Sequence, residues 1–270
     1  MKIAQALAAP GLEPREARLL LAEATGFSQA SVLAHPEREL EAGAEARFVG
    51  WAARRRAGEP VAYLLGKREF YGLSLAVNPA VLIPRPETEL LVELSLARLA
   101  PQAAACVLDL GTGSGALALA IKRHRPRARV IAVDAELSAL HMAQRNANRL
   151  GLEIELRHGR WFEPVRGERF ALVVSNPPYV AAGDPHLVQG DLRFEPRSAV
   201  VAGADGLDAL RAIAADAAAH LEAGGWLLLE HGQDQDAAVR VLLAAGGLEE
   251  VASWPDLAGI ARVTGGKLKS

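Results

Sequence analysis

The chain has 270 residues, half of them apolar, and thirty basic against thirty-two acidic side chains leave a formal charge of −2, which argues against a protein built mainly to hold nucleic acid. The single cysteine, Cys106, excludes an intramolecular disulfide and a cysteine-cluster metal site, so no metal is expected. No apolar run is long enough to span a bilayer and the amino terminus does not have the pattern of a secretory leader, so a cytoplasmic protein is expected.

The segment before Arg68 reads helical. Residues 13–25 carry apolar side chains at helical spacing and stop at Gly26; residues 44–56 put Phe48, Trp51 and Ala52 on one stripe. The run Arg54-Arg55-Arg56 ends that second helix, where cations favour the carboxyl terminus, so it reads as a helix end rather than a nucleic-acid patch. Between Arg68 and Val77 the period shifts toward two, with Gly72 at the turn, which predicts a short hairpin. Pro79, Pro84 and Pro86 punctuate the passage into the next domain.

From Glu87 onward strands and helices alternate. Strands are expected over residues 106–110, 130–133, 154–157, 170–175 and 226–230, and helices over 116–124, 136–150 and near 236–245. A long helix is expected to carry Leu207, Leu210, Ile213, Ala217 and Leu221 on one face. Two short strands, around 248–252 and 261–264, are joined without room for a helix and must be antiparallel. Alternating βα units predict an α/β fold, a mostly parallel sheet with helices on both faces.

Two loops at strand ends carry the chemistry. Asp109-Leu110-Gly111-Thr112-Gly113-Ser114-Gly115-Ala116 follows the first of these strands, and its glycines let the backbone turn tightly against a ligand. Asp134 closes the next strand, where a carboxylate can accept hydrogen bonds from ribose hydroxyls. Spacing alone also fits a nicotinamide dinucleotide, since Gly111, Gly113 and Ala116 satisfy that fingerprint. Asp109, just ahead of the loop, would repel a pyrophosphate and suits a cationic ligand or its amino group. The second loop is Asn176-Pro177-Pro178-Tyr179, closing the apolar run Phe170-Ala171-Leu172-Val173-Val174-Ser175. The prolines forbid the strand from continuing. They present an Asn, carbonyls without competing donors, and an aromatic ring, which suits gripping a planar NH2 group.

With both loops in one domain, the chain resembles the class I S-adenosylmethionine-dependent methyltransferases, and more narrowly the HemK/PrmC family, which methylates a glutamine side-chain amide in peptide chain release factors. The resemblance extends over Gly58-Glu59-Pro60-Val61-Ala62-Tyr63-Leu64-Leu65-Gly66, Arg68-Glu69-Phe70-Tyr71-Gly72, Ile83-Pro84-Arg85-Pro86-Glu87-Thr88-Glu89, Gly203-Ala204-Asp205-Gly206-Leu207 and Leu229-Glu230-His231-Gly232. It implies a helical substrate-recognition domain over residues 1–67, a β-hairpin and proline-rich linker over 68–86, and a catalytic domain over 87–270. That domain is expected to hold a seven-stranded, mostly parallel sheet with an antiparallel last strand.

The resemblance also implies S-adenosyl-L-methionine as cofactor, leaving S-adenosyl-L-homocysteine as product. Gly111, Thr112, Gly113, Ser114, Gly115, Asp134, Trp161 and Asn176 are the implied cofactor contacts. Asn176, Pro177, Pro178 and Tyr179 are implied to receive the glutamine of a Gly-Gly-Gln loop, with Asn176, Pro177 and Tyr179 as the catalytic set. Arg160 stands where relatives often have an acidic residue, and Ile260 and Ala261 replace frequent polar residues.

The partners implied are release factors, without nucleic acid or membrane. The alternative is adenine-N6 methylation of DNA or RNA, whose target is also an amino group conjugated into a π system; it needs a basic groove that the composition does not supply. A nicotinamide dehydrogenase has no use for residues 176–179. His158 and His231, near strand ends, read as surface or core histidines rather than general bases.

Overall fold

The computed structural model describes all residues, Met1–Ser270. The chain divides into two compact units, Met1–Lys67 with Val188–Phe194, and Arg68–Leu187 with Glu195–Ser270. No helix is long and apolar enough to cross a membrane.

The first unit holds α1 (Ile3–Leu7), α2 (Pro14–Thr25), α3 (Gln29–Ala34), α4 (Ala42–Arg56) and α5 (Val61–Leu65). Pro14 opens α2, where a missing N–H costs nothing, and Ser28 caps α3 by accepting the Ser31 N–H at 3.1 Å. Ile3, Leu20, Leu21, Val32, Phe48 and Leu64 form its apolar centre. Helical periodicity reveals α2 and α4, whereas α1, α3 and α5 are too short to show a period. All three arginines of the α4 terminus are engaged inside this unit, Arg56 through its Nε on the Pro10 carbonyl at 2.7 Å. Arg54 donates to Glu59 at 2.7 Å, and Arg55 joins Glu16 at 2.8 Å and Asp191 at 3.0 Å.

The second unit opens with a hairpin, β1 (Lys67–Phe70) and β2 (Leu73–Ala76), followed by α6 (Glu89–Arg98). Then come β3 (Cys106–Leu110), α7 (Ala116–His124), β4 (Arg129–Asp134), α8 (Leu137–Leu150), β5 (Glu155–His158) and β6 (Phe170–Ser175). The chain finishes with α9 (Asp208–Asp216), β7 (Leu221–Glu230), α10 (Asp236–Ala245), β8 (Leu248–Pro255) and β9 (Ala261–Leu268). The seven strands order as β5-β4-β3-β6-β7-β9-β8, and β9 runs antiparallel to both of its neighbours. Alternate residues of each central strand face opposite layers. Val107, Leu172, Val174 and Leu228 pack with α6 and α7, while Leu108, Val173, Leu227 and Leu229 pack with α9 and α10. Both faces are therefore covered, which accounts for the unbroken apolar runs of β3 and β6.

One sequence expectation fails here. Leu221 is not the end of a long helix. α9 stops at Asp216, a short 3-10 turn follows, and Leu221 begins β7 opposite Phe170. The apolar period from Leu207 to Leu221 suits a helix, yet pairing with β6 takes Leu221 into the sheet, and the register shift before the Leu172–Trp226 pair absorbs the mismatch. β8 and β9 also run longer than their apolar cores suggest, because they pair with each other along most of their length.

The hairpin is tied to the sheet domain by one buried side chain. Asn146, on α8, accepts from Ala76 N at 2.6 Å and donates to the carbonyls of Ala76 and Ser114 at 2.9 Å each. It so holds β2 and the loop after β3 together. Asn146→Leu keeps the volume but strands three buried backbone groups. Since each such group costs about 1–3 kcal/mol, we expect a loss of roughly 3 kcal/mol or more, read as a lower urea midpoint at unchanged slope. An unchanged midpoint would remove this role.

Candidate functional site

β3 and β6 lie side by side, parallel, at the point where the strand order reverses, and ligands of open α/β sheets bind beyond the strand ends there. Ser175 Oγ donates to Leu110 O at 2.7 Å, sewing the two ends together just before their loops diverge. Above them lies a cavity of about 440 Å³.

The glycine loop forms one wall. Gly111 N and Thr112 N both donate to Val133 O, at 2.8 and 3.0 Å, so the loop leans toward β4. Gly111, Thr112, Gly113 and Ser114 line the cavity. Gly111 has φ 72, and a Cβ there would stand 3.7 Å from the Trp161 ring. Gly115 does not line the cavity. At φ 83 its missing Cβ gives room to Leu119 and Ala143, so this glycine serves the packing of α7 against α8.

Asp134 faces the cavity, with Oδ2 accepting Gly113 N and Oδ1 accepting Glu136 N, both at 2.9 Å. Each carboxylate oxygen retains a second lone pair for a ligand. Burial pushes its pKa up, against the pull of those N–H groups. Trp161 completes this end. It adopts a left-handed backbone (φ 49), which costs a non-glycine residue on the order of 1–3 kcal/mol, and its buried indole N–H has no partner in the protein. Arg160 is an exposed rim residue of the same wall.

Asp109 departs from its sequence expectation. It is fully buried and does not line the cavity; Oδ2 accepts from Thr112 Oγ1 at 2.7 Å and Ala118 N at 3.2 Å. The inward turn of the β3 side chain makes it an anchor of the loop rather than a contact for an amino group.

At the other end, Asn176 and Pro178 line the cavity, while Pro177 is buried and keeps a carbonyl as its only polar group. Asn176 Nδ2 donates to Thr88 Oγ1 at 3.0 Å. Tyr179 is not a cavity residue. Its ring packs with the layer of α9 and α10, its hydroxyl donates to Glu230 Oε1 at 3.3 Å, and its carbonyl accepts from Gln235. Sequence reasoning assigned no role to Thr88, Pro84, Leu82 or Ser198, which also line the cavity. The motif around Arg85 was the available signal. Arg85 Nη2 reaches both oxygens of the buried Glu195, at 2.8 and 2.7 Å, and so fastens the 84–88 wall to the 196–198 wall.

Neither histidine reaches the cavity. His158 Nε2 lies 3.0 Å from the Ala135 carbonyl. His231 is buried, and burial lowers its pKa. Ser253 Oγ accepts from Arg240 (3.0 Å) and shares a hydrogen bond with Thr264 Oγ1 (2.7 Å), which lies 2.8 Å from His231 Nε2. Its Nδ1–H donates to the Gly232 carbonyl at 2.8 Å.

The donor set suits a cationic nucleoside. Asp134, Glu136 and Asp208 face the cavity against a single cation, Arg160, so a polyphosphate would meet repulsion. The cradle at Gly111, the carboxylate of Asp134 and the unpartnered indole N–H fit S-adenosylmethionine.

Burial raises both Asp109 and Glu230 to a pKa of about 7. A carboxyl with a folded-state pKa above its unfolded value binds more protons when folded, so stability falls as pH rises from about 4 to about 7, by up to roughly 1.4 kcal/mol per unit of displacement. We expect chemical stability to decline across that window, and Asp109→Asn to decline less steeply. Equal slopes would show that Asp109 ionises as freely in the folded protein as in the unfolded chain.

Comparisons with known proteins identify the family. Residues 87–190 match the family described as methyltransferase small domain, and residues 2–66 match the PrmC N-terminal domain. A release factor glutamine methyltransferase of Pseudomonas aeruginosa is 53% identical over 253 residues, covering 93% of this chain and 91% of its own. The enzyme of that name from Burkholderia pseudomallei is 50% identical, covering 98% and 95%. Among solved structures, a T. thermophilus 16S rRNA guanine-N2 methyltransferase in complex with AdoMet and guanosine superposes with a TM-score of 0.56. It is 23% identical and covers 75% of this chain and 50% of its own, a likeness of fold alone. With near-full-length identity of this order on both sides, the chain belongs to the release factor glutamine methyltransferase family.

Proposed function

We propose that this protein transfers a methyl group from S-adenosylmethionine to the side-chain amide nitrogen of a glutamine in a release factor, the glutamine of a Gly-Gly-Gln loop. The observation that carries the reading is Asn176, at the β6 end of the cavity opposite the glycine loop, with its Nδ2 committed to Thr88. Its Oδ1 is then left to accept from an incoming NH2 group. Family membership supplies the substrate class. A release factor is met where translation ends, which assigns the protein to the cytoplasm.

Asp134 would hold the ribose hydroxyls, the backbone of residues 111–114 the methionine portion, and Trp161 the adenine. S-adenosylmethionine supplies an electrophilic methyl group on a sulfonium. The protein must make a poor nucleophile attack, because the amide lone pair is delocalised into its carbonyl. Asn176 Oδ1 and the Pro177 carbonyl, accepting one N–H each, would orient the nitrogen and favour its pyramidal form. Alignment and preorganised dipoles then carry the rate. The rim of the cavity offers no histidine, and the proton can leave to water after the new bond forms. Tyr179, turned toward Glu230, acts here as a brace for the Asn176-Pro177-Pro178 backbone rather than as a lid on the amide. The helical unit is proposed to supply affinity for the body of the release factor.

The direct test is transfer of labelled methyl from S-adenosylmethionine to a purified release factor, with DNA as the competing acceptor. Label in DNA and none in the release factor would overturn the proposal in favour of adenine methylation. Asn176→Ala should slow single-turnover methylation by on the order of 10²–10³, and saturating cofactor should not restore the rate. His158→Ala and His231→Ala, if folded, should remain near wild type, and a histidine variant as slow as Asn176→Ala would demand a general base. Asp134→Ala should weaken calorimetric binding of S-adenosylhomocysteine by roughly ten- to a hundredfold. Comparable binding of NAD by the wild-type protein would contradict the cofactor assignment.

A further inference from the structure

An asparagine is useful as an acceptor only while its carboxamide faces the right way, because rotation by half a turn replaces oxygen with an NH2 group. The site contains a device that settles this direction. Asn176 Nδ2 donates to Thr88 Oγ1 at 3.0 Å. A threonine hydroxyl has one hydrogen, and with its oxygen accepting from Asn176 that hydrogen must point elsewhere. Glu230 is the acidic neighbour of Thr88, and the hydroxyl favours the charged form of its carboxyl. Glu230 is 1% exposed at the end of β7 and also accepts from the Tyr179 hydroxyl. Its strand lies beside β6, with Leu229 in register with Ser175. An ionised Glu230 can only accept, so a Thr88 hydroxyl turned toward it leaves its oxygen to Asn176, which meets Thr88 with its NH2.

We propose that Thr88, oriented by Glu230, is a positioning residue that fixes the Asn176 carboxamide with its oxygen toward the substrate. The proposal rests on the function given above and goes beyond it by naming what selects the productive orientation. A flipped Asn176 would present hydrogen to hydrogen and repel the incoming amide. If Thr88 loses its hydroxyl, both orientations become accessible and only a fraction of molecules is poised to react. Glu230 sets this direction in its ionised form, which can only accept; a protonated carboxyl has a proton of its own to give to Thr88. Glu87 and Arg262 act on the same carboxyl with opposite signs.

The test compares Thr88→Val, which keeps the shape and removes the hydroxyl, with Thr88→Ser, which keeps the hydroxyl. Wild-type protein methylating a release factor is the control; if it does not, the function fails and the positioning role is judged on the ligand-free readout below. Given that activity, Thr88→Val should lower the single-turnover rate by roughly ten- to a hundredfold, while affinity for S-adenosylhomocysteine stays within about threefold of wild type. Thr88→Ser should recover most of the rate. Because Thr88 acts through Asn176, the double variant Thr88→Val with Asn176→Ala should be no slower than Asn176→Ala alone. In the ligand-free protein, exchange of the Asn176 side-chain NH2 hydrogens, followed by nuclear magnetic resonance, should be faster in Thr88→Val than in wild type. A Thr88→Val enzyme as fast as wild type, a Thr88→Ser enzyme as slow as Thr88→Val, additive losses in the double variant, or unchanged exchange would each overturn the proposal.

Discussion

The pairing of β3 with β6 is the constraint on which the rest depends. These strands are neighbours in space but not in sequence, and the register sets Leu110 against Ser175, so the loops that follow begin at the same height. The Ser175 hydroxyl on the Leu110 carbonyl locks that register in the last pair. Beyond it the two chains diverge, one through Gly111 into α7 and one through Asn176 toward α9, and the space they leave is the cavity. A slip of one residue would exchange the two faces of β6 and carry Asn176 out of line with the glycine loop. The cofactor loop and the acceptor-holding peptide are therefore brought together by a sheet register rather than by contacts between the loops themselves.

Carboxylates organise both walls. Asp109 anchors the glycine loop from below, Asp134 holds it from the side, and Glu230 stands beneath the residues 176–179 peptide. Two of the three are buried enough to hold a proton near neutrality, so they act by geometry as much as by charge. Asp134, the one that faces the cavity, is tied by two backbone N–H groups, which oppose the effect of burial and favour its charged form. A charged ligand would meet that carboxylate already fixed in place, without the cost of ordering it.

Much of this was legible in the sequence. The strands of the sheet, the helices between them, both strand-end loops and Asp134 follow from apolar period and turn chemistry, because each is a local property. What local pattern could not supply was direction. Asp109 and Gly115 belong to the glycine loop by sequence, yet one turns into the core and the other makes room for α8. Tyr179 follows the two prolines and turns toward Glu230, a partner fifty-one positions away. Thr88 was visible within a motif, but its bond to Asn176 spans eighty-eight positions and exists only once α6 and β6 are in place. Leu221 fits a helical stripe until β6 offers a strand to pair with. The assignment of Val188–Phe194 to the helical unit is likewise a matter of contacts distant in the chain.

The central claim is that one switch point holds the methyl donor and the accepting amide in line. A crystal structure with S-adenosylhomocysteine and a Gly-Gly-Gln peptide tests it most directly. The account predicts the glutamine NH2 between Asn176 Oδ1 and the Pro177 carbonyl, with its nitrogen facing the cofactor sulfur across the width of one methyl group. A glutamine side chain seated elsewhere, or an Asn176 carboxamide that turns its NH2 to the peptide, would contradict it.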